Sequence, residues 1–462
     1  MTARDYALHE IDAKVLPNWP AGKLRRNRPA GPGEGAGTKR PGGGDVRPPS
    51  DPRDVALAEQ ITVGVVKNAL LLQHWTQHYS GRSLKSIDPL VQKVLAVGLY
   101  QIGFLTRVPG SAAVDEAVEQ AKRFGQPRAA GFVNAVLRKA TREPAPELTD
   151  PNENAMDYAR LGLSHPAELF KKLVDLLGEA DALEFCEHDQ LEPPVIVRVD
   201  DAERFAASFG TKPREAGGYE LENGVVLVPH EAAGMFVVTG AKRAMLGEWA
   251  RAGVAQVQDP TAAGVVGRAQ IEAGQVVLDR CAGLGTKTMQ MRRAVGEGGR
   301  VLAMDPNEAR CEGLRRLVGE RGVTNVDVHA AGWLRDVRDR AGVPAQFDRV
   351  VADVPCSNSG VMARRPEARY HQSERALKSL AELQDRILDD TAPLVAPGGV
   401  LVYSTCSVWP EENRNRVDAF CERHAEFEPV EEKGTLPSFG EDPAAYHDGG
   451  YYAVLRKKGQ AE

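Results

Sequence analysis

No apolar run in this chain of 462 residues approaches the ~20 needed to span a bilayer. The opening stretch MTARDYALHEIDAKV also lacks the apolar core of a secretory signal. Membrane and export functions are therefore not expected, and the cytoplasm is the expected compartment. Cysteine is sparse and irregular, with six residues at positions 186, 281, 311, 356, 406 and 421 and no CxxC pair among them. That spacing argues against a bound metal and against a disulfide framework, and predicts reduced thiols.

What is present is ordinary in bulk, 42% hydrophobic and 26% charged, but unevenly distributed. Residues 1–145 hold 21 Lys+Arg against 13 Asp+Glu, a net of +8, so the rest of the chain carries −14 of the overall −6. A basic module on an acidic body points to a polyanionic partner; a merely solvated basic surface is the competing reading. The length predicts two or three domains. After a short helix over 2–16, residues 18–52 are so rich in Gly, Pro and basic residues that they read as a flexible insert. From 53 to 142, apolar residues recur at helical spacing between Gly and Pro breaks, predicting an all-α bundle. Arg123, Arg128, Arg138 and Lys139 are expected on its exposed side.

Residues 146–255 are mixed, with helices around 166–189 and strands at PPVIVRVD and NGVVLVP. From 256 onward strand and helix alternate, which predicts a doubly wound α/β domain over 256–462, binding its ligand outside the carboxyl ends of the strands. The strand GQVVLD runs into CAGLGTKT, a glycine turn that is neither GxGxxG nor GxxxxGK[ST]. The next strand ends at Asp305, placed to take the hydroxyls of a ribose, so the two together suit a cofactor containing a nucleoside. The fourth strand, FDRVVAD, ends at Asp353 and leads to Pro355-Cys356, while the fifth, LVYST, ends at Thr405-Cys406. A buried structural cysteine is the plain reading of either alone.

Two thiols and a carboxylate at one pocket allow a particular reaction. Carbon 5 of cytosine becomes nucleophilic once a thiolate adds to carbon 6, and can then take a methyl group from a sulfonium. A carboxyl group near ring N3 assists, and a base must later remove the carbon-5 proton so that the thiolate can leave. The attacking sulfur must be thiolate, which a nearby cation or helix N-terminus favours. Lys287 and the PEEN segment after Cys406 are the candidates.

The segments VQDPTAAGVV, LDRCAGLGTKT, DVPCSNSGVMARRPEARY and YSTCSVWPEEN resemble the successive motifs of the Sun-type (Fmu) RNA cytosine-5 methyltransferases, a Rossmann-like family. DPLVQKVLAVGLYQIGFLTRVPGSAAVDEAVEQAKRFG and AAGFVNAVLRKA are similar to the NusB-like RNA-binding domain of its bacterial small-subunit rRNA members. The resemblance implies a NusB-like domain over 1–145, a connecting RNA-binding region over 146–255 and S-adenosylmethionine as methyl donor. It further implies cytosine in 16S rRNA as substrate, met free or early in subunit assembly, with no DNA partner; a monomer is expected.

Carried over by position, it makes Cys406 the nucleophile and Cys356 the group assisting release, with Asp353 on the base edge and Lys287 beside it. Cys281, Ala282, Gly283, Leu284, Gly285, Thr286 and Lys287 would wrap the cofactor, with Asp305 and Asp353 completing its site. Leu284 and Thr286 depart from the family's CAAPGGKT, and Ala331 stands where an acidic residue usually meets the adenine. Losing that acceptor would cost about 1 kcal/mol. The same chemistry on tRNA or another RNA, and a non-catalytic RNA-binding assembly factor, are the alternatives.

Overall fold

The computed structural model describes residues 2–13, 49–215, 217–333, 336, 343–440 and 442–459. Most of the insert expected at 18–52 lies outside the described residues. The chain divides into two compact units, 1–190 with 365–373, and 191–364 with 374–462.

The first unit is helical: α1 (Ala3–Ala13), α2 (Pro52–Lys67), α3 (Ala69–Ser80), α4 (Pro89–Phe104), α5 (Gly110–Arg123), α6 (Ala130–Ala140), the single turn α7 (Ala155–Asp157), α8 (Ala167–Leu177) and α9 (Glu179–His188). Asp-Pro pairs start two of these helices. Asp51 accepts from the Arg53 N–H at 2.8 Å and Asp88 from the Leu90 N–H at 2.9 Å, each followed by proline at the first helical position. Such a cap is worth about 1 kcal/mol. The centre of the bundle is α4, whose Val94, Leu95, Val97 and Leu99 are almost fully buried with Val65, Val66, Val133 and Leu137.

Of the basic residues expected outside, Arg128 and Arg138 are exposed. Arg123 is exposed but neutralised by Asp5 at 2.9 Å and Glu116 at 2.5 Å, and Lys139 is half-buried near Glu143. The segment 365–373, from the sequence RPEARYHQS, belongs to this unit. In it the fully buried Arg369 donates to the carbonyls of Lys67, Leu163 and Asp189, and the Tyr370 hydroxyl donates to Val66 O at 3.0 Å.

The second unit carries two sheets. One is antiparallel throughout, built from β1 (Val195–Val199), β2 (Thr211–Pro213), β3 (Tyr219–Leu221), β4 (Val226–Pro229), β5 (Met235–Thr239) and β6 (Ala255–Val257) in the order β2-β3-β4-β5-β1-β6. Two helices accompany it, α10 (Ala202–Phe209) and α11 (Arg243–Ala252), with Phe205 and Trp249 stacked edge to face in the core beneath.

The other sheet contains β7 (Val276–Asp279), β8 (Arg300–Asp305), β9 (Val326–Ala330), β10 (Phe347–Asp353), β11 (Val395–Thr405), β12 (Phe427–Thr435) and β13 (Gly450–Lys457), ordered β12-β13-β11-β10-β7-β8-β9. Six strands run in one direction, five of them, β7 to β11, in parallel pairs, and β13 enters antiparallel between β11 and β12. The helices α12 (Pro260–Arg268), α13 (Thr286–Val295), α14 (Glu308–Glu320), α15 (Glu374–Thr391) and α16 (Arg414–Arg423) alternate with the strands. Separate apolar clusters cover the two faces, one centred on Leu278, Val350, Leu401 and Leu388, the other on Val277, Val351, Val402 and Met291. Buried on both sides, these strands read as continuous apolar runs. The order of the strands reverses between β7 and β10, and there the carboxyl ends open the crevice that ligands occupy in doubly wound sheets. Among the described residues no single helix is long and apolar enough to cross a membrane, and no cluster of His, Cys, Asp and Glu suits a metal.

Candidate active site

The glycine turn follows β7 directly. Gly283 and Gly285 adopt φ of 56° and 90°, and a Cβ on Gly285 would lie 2.2 Å from Leu314 Cδ1. Only glycine accepts that backbone without strain. The Gly283 N–H donates to Asp305 Oδ2 at 3.0 Å, so the ends of β7 and β8 are tied together, while Asp305 Oδ1 accepts from the Asn307 N–H. Leu284, at the tip, is 69% exposed, and Thr286 opens α13. The loop is thus formed despite its two departures from the family's sequence.

Behind the turn, Thr288 Oγ1 donates to Asp279 Oδ2 at 2.6 Å, leaving the buried Asp279 Oδ1 without a partner. Burial drives this carboxyl up to about 7, and it drives the Cys281 thiol up to about 12. Two left-handed glycines, an orphaned buried acceptor and the carboxylate at the end of β8 fit a nucleoside cofactor with a cationic amino-acid portion. Ala331, after β9, is buried and donates its N–H to Asp305 O at 3.0 Å, and its methyl side chain offers no acceptor.

Across the switch point, β10 delivers Asp353. Its Oδ2 accepts from Lys287 Nζ at 2.7 Å and its Oδ1 from Ser404 Oγ at 2.9 Å. The ends of β10 and β11 and the first turn of α13 are thereby joined at one carboxylate. Desolvation works against the charge on Lys287, but Asp353 and Cys406 outweigh it and hold the ammonium above its ordinary value. A fixed cation is the environment a thiolate needs.

The two sulfurs lie together, with Cys356 Sγ and Cys406 Sγ 3.1 Å apart. Cys406 Sγ also contacts Asn358 Oδ1 at 3.2 Å, and Asn358 Nδ2 donates to the Cys356 carbonyl at 3.1 Å. Asn358 holds a left-handed φ of 60°, a conformation rare outside glycine and tolerated best by Asn and Asp. The Cys356 thiol is pushed well up, first by its hydrogen bond to Cys406, then by burial and the charges of Cys406 and Glu412. The PEEN segment makes a single 3-10 turn, Pro410–Glu412, ahead of α16.

Behind the thiols the backbone is packed without clearance. Gly360 N donates to Cys406 O at 2.9 Å and Gly449 N to Gly360 O at 2.7 Å, while a Cβ on Gly360 would sit 2.6 Å from the carbonyl of Gly449. Sequence reasoning singled out Cys356, Cys406, Asp353, Lys287 and Asp305, and these converge as described. It passed over Asp279, Ser404, Asn358 and Glu412, although each lies in or beside a motif it quoted. Small polar residues next to a cysteine carry no signal until their partners are known.

A family model described as "16S rRNA methyltransferase RsmB/F" matches residues 269–454, and one for the NusB family matches 44–142. The ribosomal RNA small subunit methyltransferase B of Vibrio cholerae is 33% identical over 415 residues, covering 88% of this chain and 90% of that protein. The probable enzyme of the same name from Bacillus subtilis is 30% identical, covering 81% of each. Among solved structures, the protein PH0851 superposes with a TM-score of 0.72 at 21% identity, covering 88% of this chain and 91% of that one. A methyltransferase homologue from Pyrococcus horikoshii gives 0.53 at 22%, covering 66% and 99%. These two establish likeness of fold. With the bacterial relatives aligned over most of both chains, the chain belongs to the RsmB/F family of 16S rRNA methyltransferases.

Proposed function

We propose that the protein methylates carbon 5 of a cytosine in 16S rRNA through a covalent adduct on Cys406. The observation that carries this reading is the pair of sulfurs 3.1 Å apart at the switch point, beside the Lys287–Asp353 pair at 2.7 Å. Cys406 adds as thiolate to carbon 6, forming the carbon–sulfur bond and moving the ring's electron pair toward carbon 5. Lys287 stabilises the thiolate, and Asp353, fixed by Lys287 and Ser404, binds the base edge. S-adenosylmethionine, the methyl donor, supplies an electrophilic methyl on sulfonium. Loss of the carbon-5 proton to a base then re-forms the double bond and expels Cys406, and Cys356, as a neutral thiol in contact, donates a hydrogen bond to the departing sulfur.

The run Cys281, Ala282, Gly283, Leu284, Gly285, Thr286 and Lys287 would hold the donor together with Asp305 and Asp353. The target base must leave its stack to reach the thiol, which favours a loop or single-stranded cytosine. That preference supports action on free or early-assembly small-subunit rRNA, where more of the chain is unpaired. The helical unit would grip phosphates, so RNA affinity should fall by about 10³-fold or more between 50 and 200 mM salt if six or more phosphates are engaged.

The test is trapping. Cys356→Ala protein with S-adenosylmethionine and rRNA lacking the modification should give an RNA adduct stable to denaturant, and Cys406→Ala none. An adduct only in Cys406→Ala reverses the two roles. No adduct in either, with no methyl transfer by the wild type, leaves the non-catalytic assembly factor.

A further inference from the structure

Glu412 is fully buried, and four donors converge on its carboxylate. Oε1 accepts from the Ser357 N–H at 2.9 Å and from Gln384 Nε2 at 3.1 Å. Oε2 accepts from Ser357 Oγ at 2.5 Å and Ser407 Oγ at 2.6 Å. Ser357 follows Cys356 and Ser407 follows Cys406, so one side chain fastens the residue after each thiol. The serines of the two loops already meet, Ser357 Oγ lying 3.3 Å and Ser359 Oγ 3.0 Å from Ser407 Oγ, so joining the loops does not by itself require a buried carboxylate, which is costly unless fully hydrogen-bonded. Here every donor is neutral, and the two arginines that follow in sequence are engaged elsewhere, Arg414 by Glu432 at 2.7 Å and Arg416 by Asp385 at 2.5 Å.

The arrangement is lopsided. Toward Cys356 the carboxylate takes the N–H of the peptide bond that Cys356 itself forms, whereas toward Cys406 it takes only a hydroxyl. The cation of the site, Lys287, interacts with Cys406. The charged and titratable groups bearing on Cys356 are Cys406, Glu412 and the Tyr403 phenol, which donates to Glu412 O at 2.5 Å.

We infer that Glu412 is a positioning residue that sets the unequal roles of the two thiols, clamping both loops and placing its negative charge against Cys356. That charge keeps Cys356 a thiol, able to donate to the departing sulfur and unable to compete for carbon 6, and leaves the attack to Cys406, the sulfur that interacts with Lys287. The inference rests on the covalent reading above, but its test needs neither RNA nor methyl donor.

Alkylation of the whole protein by iodoacetamide is followed at each cysteine by peptide mass spectrometry, from about pH 6 to 10. Glu412→Gln keeps the shape and removes the charge. It should move the Cys356 profile to lower pH, by about one unit, so that Cys356 reacts ~10-fold faster near pH 8. The Cys406 profile should move less. In methyl transfer kcat should fall ~10-fold or more with the KM for S-adenosylmethionine unchanged, because the glycine turn lies on another strand. A Cys356 profile identical to the wild type in folded Glu412→Gln protein overturns the inference.

Should that variant fail to fold, Glu412→Asp carries the test. It keeps the charge but is one carbon too short to span both loops, so an unmoved Cys356 profile with reduced kcat supports the inference and a profile moved to lower pH overturns it. A trapped Cys406 adduct with no shift in Cys356 sinks the role of Glu412 alone. A shifted profile with no adduct sinks the covalent reading alone.

Discussion

Gly360→Ala tests whether the backbone behind the thiols is as tight as its geometry requires. Gly360 does not have positive φ, so alanine meets no conformational penalty there and any cost is steric. The new Cβ would lie 2.6 Å from both the carbonyl carbon and oxygen of Gly449, backbone atoms that cannot rotate away. Restoring van der Waals distance requires the two strands of chain to part by about 0.8 Å. That parting would stretch the 2.7 Å bond from Gly449 N to Gly360 O beyond useful length, at about 1 kcal/mol. Overpacking adds ~1–2 kcal/mol, giving a loss near 2–3 kcal/mol in urea unfolding.

Activity should suffer more than stability, because Gly360 N also holds Cys406 O at 2.9 Å. A nucleophile displaced by most of an ångström is expected to lose ~10²-fold in kcat. Gly264→Ala in α12 is the control: a Cβ there meets nothing within 4 Å, and the exposed helical site should gain about 0.5–1 kcal/mol. If Gly360→Ala unfolds within 0.5 kcal/mol of the wild type and turns over normally, the close packing described here is wrong.

Other substitutions probe separate parts of the structure. Asp279 has a folded value of about 7, above its ordinary value near 3.9, so its contribution to stability is intact below about pH 4 and is lost as pH rises through 7. Asp279→Asn should therefore flatten the fall in unfolding free energy over that window, by up to ~4 kcal/mol, read from urea melts at several pH values. Arg369→Ala leaves the Asp189 carbonyl without its donor and strips one donor from the carbonyls of Lys67 and Leu163, and should lower the stability of the helical unit by ~2 kcal/mol, seen as an earlier thermal transition. Lys287→Met should slow alkylation of Cys406 at neutral pH at least severalfold by removing the cation, with the opposite result showing that the thiolate is stabilised elsewhere.

The sequence alone determined the broad organisation, because its signals are local or periodic. Apolar spacing marked the bundle, and the alternation of strand and helix from residue 256 marked the doubly wound sheet. The motifs around Cys281, Cys356 and Cys406 carried the family. What it could not determine depends on residues far apart in the chain. Nothing in a linear reading joins Glu412 to Ser357, separated by 55 positions, or Lys287 to Asp353, separated by 66. Nor does it show that 365–373 belongs with the helices, or that Gly449 packs against Gly360. Parallel strands bring such residues together only when the crossovers fold back and the order of strands reverses. The tertiary structure therefore decided how the two thiols, similar in their local sequence, came to have different surroundings.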